Sequence, residues 1–229
     1  MNNIVAAPKR SRYQLVFDVE TTGLLPKQSK LNPQLTINDY PHITQLSFVL
    51  YDIVEKKVIQ TFDNFIQLPS TVQISDEVTK ITGITWDICN QGIPIVDALI
   101  EFYKAYSICD GIVAHNLDFD EKVIMIELER NVESIVEIEP RCLSLFRSVF
   151  EELKGMERYC TMRKGSALCN ILVEPTQDGK VPRVKWPKLS ELYVKLFQEP
   201  APEGLHNAMV DVTACLKCYL KMRHNTAIV

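Results

Sequence analysis

The stretch "LVFDVETTGL", Leu15 to Leu24, carries two carboxylates to the end of an apolar run. Leu15, Val16 and Phe17 are apolar in succession, which predicts a strand over about 13–19 buried on both faces. Residues i and i+2 of a strand project from one face, so Asp18 and Glu20 stand side by side where it ends. Two like charges ~4 Å apart repel by about 4 kcal/mol at an effective dielectric near 20. A fold that keeps this strand in its core must therefore open a cleft at the strand's end and find something to offset the repulsion.

Other segments supply the rest of an α/β domain. "HITQLSFVLYDI" (His42–Ile53) and "KVIQTFDNFIQL" (Lys57–Leu68) are strand patterns separated by a few residues, which favours an antiparallel hairpin. Between strands one and two, 25–41 holds three prolines and little periodicity, and reads as a long exposed loop. "SDEVTKITGI" opens with Ser75 as a helix cap. "IPIVDALIEFYKAYSICDG" reads as an amphipathic helix stopped at Gly111, "GIVAH" as a short buried strand, and "FDEKVIMIELERN" as a helix again. This β–α–β–α order places at least one strand parallel to its neighbour. "WPKLSELYVKLF" and "NAMVDVTACLKCYLKM" complete the pattern as helices, and residues 1–11 read as a flexible tail. The expectation is one domain over 1–229, a mixed β-sheet flanked by α-helices.

Composition narrows the classes. A chain of 229 residues, 46% hydrophobic and 24% charged, is long enough for one substantial core. No apolar run approaches the ~20 residues of a membrane-spanning helix, and the start lacks a secretory pattern, so no membrane partner is expected. Seven cysteines in apolar surroundings, an odd number, suit a reducing, cytoplasmic setting better than a disulfide framework. Cys215 and Cys218 alone fall short of the four ligands of a structural zinc site. The net charge of −4 disfavours a scaffold for long duplexes, yet Lys154–Lys188 carries eight Lys or Arg against three acids. That local basic face could bind a short polyanion.

Two further acids join the first pair. Ala208, Asp211, Cys215, Cys218 and Met222 fall on one side of the last helix, so Asp211 interrupts an otherwise small or apolar stripe. A carboxylate there is costly unless it is paired or bound to a metal. "IVAHNLDFDEKVI" brings Asp118 and Asp120 to a strand-to-helix junction. Hard divalent cations take oxygen ligands, and two of them ~3.5–4 Å apart suit in-line displacement at phosphorus. His206, five residues before Asp211, could accept a proton from water, since an unperturbed imidazole titrates near ~6.5.

"DVETTGL", "AHNLDFD" and "HNAMVD" together resemble the three motifs of the DEDDh 3′–5′ exonucleases, the DnaQ-like branch of the ribonuclease H-like fold. The resemblance implies a mixed sheet whose first three strands are antiparallel. It implies two Mg2+ or Mn2+ ions, with Asp18 shared, Glu20 and Asp211 on the nucleophile-side metal, and Asp120 completing the set. Asp118 is the runner-up for that last position. It makes His206 the general base, with Gly204 letting it swing in. Backbone near Thr21, Thr22 and Gly23 would contact the terminal nucleotide and Leu24 would wedge its base, a plain turn with a core leucine being the alternative. Asn116 would support the site or touch that nucleotide, although packing and turn-forming suit His115 and Asn116 better.

The implied activity is hydrolysis at the 3′ ends of single-stranded nucleic acid, DNA favoured, releasing nucleoside 5′-monophosphates. An RNA-trimming enzyme and a catalytically silent nucleic-acid-binding module are the alternatives, and a polymerase or a second copy of the chain is the candidate protein partner. Arg163 and Lys164 would grip phosphates, and Tyr159 or Trp186 could stack on bases, although Trp186 and Tyr193 are expected mainly in the core. "PTQDGKVP" reads as a turn.

Overall fold

Alternation along the central strand decides which side of the sheet each helix covers. The computed structural model describes residues 11–27, 35–173 and 182–226. The expected N-terminal tail up to residue 10, the middle of the 25–41 loop and most of the 175–182 turn lie outside the described residues. The strands are β1 (Tyr13–Thr21), β2 (Ile43–Asp52), β3 (Lys57–Phe65), β4 (Gly111–Ala114), β5 (Glu157–Cys160), β6 (Leu172–Val173) and β7 (Arg183–Val184). The α-helices are α1 (Asp76–Thr82), α2 (Trp86–Asn90), α3 (Ile95–Ile108), α4 (Leu117–Arg130), α5 (Val132–Ile138), α6 (Ser148–Lys154), α7 (Thr161–Cys169), α8 (Leu189–Phe197) and α9 (Ala208–His224).

The main sheet has the order β3-β2-β1-β4-β5. The first three strands pair antiparallel, while β4 runs parallel to β1 and β5 parallel to β4. This is the mixed sheet expected from the sequence. Leu15, Phe17 and Val19 face one core, packed with Leu99 and Phe102 of α3 and Ile124 of α4. Val16 faces the other, packed with α8 and α9 through Leu192, Val212, Cys215 and Tyr219. Leu15, Val16 and Phe17 are all fully buried, and each such side chain contributes roughly 1.5–3 kcal/mol of burial free energy. Asp18 and Glu20 share the parity of Val16, so β1 directs them to the α9 side.

Several expectations are confirmed locally. Ser75 accepts from the N–H of Val78 and Gly83 closes α1 at φ +75°. Tyr193 is buried. Other expectations need correction. Gly111 does not stop α3, which ends at Ile108; it begins β4, where a Cβ would come 2.5 Å from Gln14 Oε1. The third strand ends at Phe65 rather than Leu68, and Ile66 bridges to Ile93 instead. Trp186 is 59% exposed, not in the core. Tyr159 is no free stacking surface: it lies edge-on to Tyr219, with ring centroids 5.0 Å apart. The edge strand β5 and helices α5 to α7 had no clear sequence pattern, because each is short.

The far end of the long loop is fastened by a buried ion pair. Arg130 Nη1 donates to Glu127 Oε1 at 2.6 Å, and Nη2 donates to the carbonyls of Ile37 and Tyr40 at 3.0 and 3.1 Å. Glu127 also accepts from the N–H of Ile43. Burial, and secondly the Arg130 charge, push the neighbouring His42 down to about 4, so it is neutral. Arg130→Ala leaves Glu127 buried without its cation and should cost about 3–5 kcal/mol in urea unfolding. Replacing both residues with apolar ones of similar volume should restore much of that loss.

Candidate active site

Asp18 and Glu20 end the buried part of β1, and a bulge follows immediately, between Glu20 and Thr21 in the pairing with β2. The turn from β4 into α4 passes through Asn116 at φ +79°, a left-handed conformation that Asn tolerates. That turn sets Asp120 in the first turn of α4, where its Oδ1 accepts from the N–H of Val19 at 3.3 Å. Asp118 points elsewhere: it is exposed and paired with Arg163. Of the two candidates, Asp120 is the one that faces the other acids.

The start of α9 brings the last pair. Asn207 caps the helix, its Oδ1 accepting from Met209 and Val210. Gly204 at φ +80° and His206 at φ +73° turn the chain sharply before it, and the N–H of His206 donates to Asp211 Oδ2 at 3.3 Å. Glu20, His206 and Asp211 each offer one ligand atom, all within 4.8 Å of one another. Asp18, Glu20, Asp120, His206 and Asp211 line one cleft of about 540 Å3, with Asn116, Trp186 and Lys188 also in its wall.

Electrostatics mark the cleft as unfinished without a cation. Burial, and then the charges of Asp120, Asp211 and Glu20, hold the Asp18 carboxyl well above its ordinary range. Asp120 is likewise raised, chiefly by burial. Burial and the Asp211 charge lift Glu20 to about 8, and burial lifts Asp211 to about 6. Asp211 Oδ1 is buried with no hydrogen-bond partner among the described residues. Buried polar atoms are normally satisfied. Oxygen ligands clustered around an orphaned carboxylate oxygen fit a hard divalent cation.

A family model described as Exonuclease, of the RNase T type, matches residues 15–219. The chain belongs to that exonuclease family. It is 29% identical over 202 residues to the DNA polymerase III PolC-type of Lactococcus lactis subsp. lactis (strain IL1403), covering 81% of this chain and 11% of that protein. Among solved structures, it matches E. coli Exonuclease I in complex with a dT13 oligonucleotide at TM-score 0.61 and 17% identity, covering 93% of this chain and 42% of the other. It also matches the nuclease domain of 3′hExo, a DEDDh family member, bound to rAMP, at TM-score 0.61 and 15% identity, covering 97% of each. The chain thus spans a small part of the polymerase and under half of Exonuclease I. The fold is the ribonuclease H-like one expected from the motifs.

Within this exonuclease fold, other expected residues are placed as follows. Thr21 Oγ1 donates to the carbonyl of Gly23 at 2.6 Å, and Thr22 exchanges hydrogen bonds with His42. Leu24 is 86% exposed, so it is not a core leucine. Arg163 lies beside the cleft, over Trp186, and Lys164 is exposed. Much of the basic segment is committed internally. Arg158 pairs with Glu121 and Glu151, Lys185 with Glu191, and Lys154 donates to the carbonyls of Tyr106 and Ser107.

Gln45 was missed in the sequence, and His115 takes the packing role expected of it. Gln45, opposite Glu20 across β1 and β2, accepts from the N–H of Ala208 at 3.1 Å and donates to Asp63 at 2.8 Å. It thereby docks the start of α9 onto the sheet; a polar residue in an apolar strand was its only signal. His115 Nε2 lies 3.1 Å from the Pro187 carbonyl, which can only accept, so Nε2 carries the proton and Nδ1 accepts from the Thr161 hydroxyl at 2.9 Å. Burial pushes His115 down to about 4, so it is a neutral strut.

Two outcomes follow. Gln45→Leu strands the Ala208 N–H and should cost about 1–3 kcal/mol, read as a lower urea midpoint. In chelator, the raised Glu20 carboxyl keeps its proton in the folded state while the unfolded chain ionises. Its contribution to stability is therefore present below about 4.5 and is lost as pH rises towards about 8. Thermal melts should show that decline flattened in Glu20→Gln, and the gain in Tm on adding Mg2+ or Mn2+ should be larger at pH 8 than at pH 5.5. An equal gain at both would count against cation binding by these acids.

Proposed function

We propose that this chain is a divalent-metal-dependent 3′–5′ exonuclease of the DEDDh type that removes nucleotides from single-stranded 3′ ends, DNA in preference to RNA. The supporting observation is the gathering of four carboxyls and His206 in one cleft, with Asp211 Oδ1 buried and unpartnered among the described residues. Asp18, Glu20, Asp120 and Asp211 would hold two Mg2+ or Mn2+ ions. When bound, such ions supply Lewis acidity and cancel charge at the scissile phosphate.

The protein's own groups do the rest. His206, exposed at the rim and tied through its N–H to Asp211, takes the proton from the attacking water. Water is the nucleophile, so the products are a nucleoside 5′-monophosphate and a strand shorter by one, with no covalent enzyme intermediate. The turn of Thr21, Thr22 and Gly23 is held by His42 and presents backbone to the terminal nucleotide. Exposed Leu24 is available to wedge against its base, and Asn116 lines the cleft beside it. The DNA polymerase name of the curated relative favours DNA as substrate and a polymerase, rather than a second copy of the chain, as partner.

The test is degradation of 5′-labelled single-stranded DNA and matched RNA, with Mg2+, Mn2+ or chelator. A ladder shortening from the 3′ end, faster on DNA and absent in chelator or in Asp18→Ala, is the expected result. His206→Ala should lower kcat by ~100-fold or more with KM little changed. Faster loss of RNA would favour the RNA-trimming reading. Turnover of His206→Ala within a few-fold of wild type would remove the general base from the scheme.

A further inference from the structure

Trp186 combines two properties rarely found together: its backbone is firmly fixed and its indole is out in solvent. The segment carrying it is pinned at five points. β7 pairs with β6, and the Lys185 N–H donates to the Ile171 carbonyl at 2.9 Å. Lys185 Nζ and the Lys188 N–H both reach the Glu191 carboxylate, at 2.6 and 2.8 Å. The Pro187 carbonyl is held by His115.

The ring also stands in the right surroundings for one kind of ligand. It lines the cleft that contains the acids, together with Pro187, Lys188 and Met162. The Arg163 guanidinium lies over it, 5.9 Å from the ring centroid, and is itself half-exposed and paired with exposed Asp118. An aromatic face backed by a cation in an otherwise acidic cleft suits a flat π-system attached to an anion. A nucleobase with its phosphodiester is such a ligand.

We infer that Trp186 and Arg163 form a stacking platform for a base upstream of the scissile bond, holding the single strand while its 3′ end enters the acidic pocket. The inference rests on the exonuclease reading above for its substrate. Stacking reads every base by its face, so the platform gives grip without sequence preference. It also distinguishes strand from mononucleotide, because a mononucleotide ester has no upstream base to stack.

The experiment separates this platform from the chemistry. Wild type, Trp186→Ala and Trp186→Phe are assayed with Mg2+ on oligo(dT) and on the methyl ester of thymidine 5′-monophosphate, whose leaving group carries no ring to stack. Expected are a KM for oligo(dT) raised about fivefold or more in Trp186→Ala, substantial recovery in Trp186→Phe, and a much smaller effect of either substitution on ester hydrolysis. Equal losses on both substrates, or none on oligo(dT), would overturn the platform. Failure of wild type on both substrates would instead sink the exonuclease reading.

A second measurement does not depend on turnover. The chain has two tryptophans, so Trp86→Phe leaves Trp186 as the sole indole reporter. With Ca2+ in place of Mg2+, oligo(dT) should quench its fluorescence, and an abasic strand of equal length should not. Equal quenching by both strands, or no quenching by oligo(dT), would also overturn the platform.

Discussion

The placement of four carboxyls in one largely buried pocket is what the rest of this structure serves. Each loses hydration, and the charges of some raise others, which is why Glu20 is held near 8 and Asp18 well above its usual range. Such a cluster persists only where the backbone leaves its members no alternative. Here β1 is locked by cores on both faces, α4 is joined to β1 through Asp120 and the Val19 N–H, and α9 is docked through Gln45. The scaffold stores an unfavourable charge arrangement of the kind that the cations proposed above would relieve.

The same logic explains the polar groups around the pocket. His115 is half-buried and neutral, and spends both ring nitrogens on tying the end of β4 to Pro187 and Thr161. Arg130 and Glu127 do a comparable task on the opposite core, fixing residues 37–41 beside the turn that follows β1. His115 holds a wall of the cleft rather than reacting in it, while the Arg130–Glu127 pair holds the strip beside the turn after β1. A braced wall with an exposed tryptophan in it suits the strand-end substrate proposed above.

The sequence was most readable where period and chemistry coincide. Leu15–Phe17 announced a doubly buried strand, and the single acid in the α9 stripe announced a pocket under it. The family motifs then chose Asp120 over Asp118, and the Val19 N–H and the Arg163 pairing give the physical reason. Less readable were features set by tertiary partners. Trp186 sits by an apolar helical pattern, yet two of the anchors of its segment, Ile171 and His115, lie where no local window connects them to it. The basic count of 154–188 also overstated a binding face, because Arg158 and Lys185 are spent on acids brought from elsewhere. Short elements such as β5 leave too few residues to show a period.

The hydrogen bond from Ala208 to Gln45 joins residues 163 apart in the chain. Because that tie docks the helix bearing Asp211, the pocket cannot close while the polypeptide is still emerging from a ribosome, even after the whole sheet has been made. The last long helix acts as a latch on assembly order. A nascent chain surrounded by messenger and ribosomal RNA would thus lack one of its four acids until synthesis has passed α9.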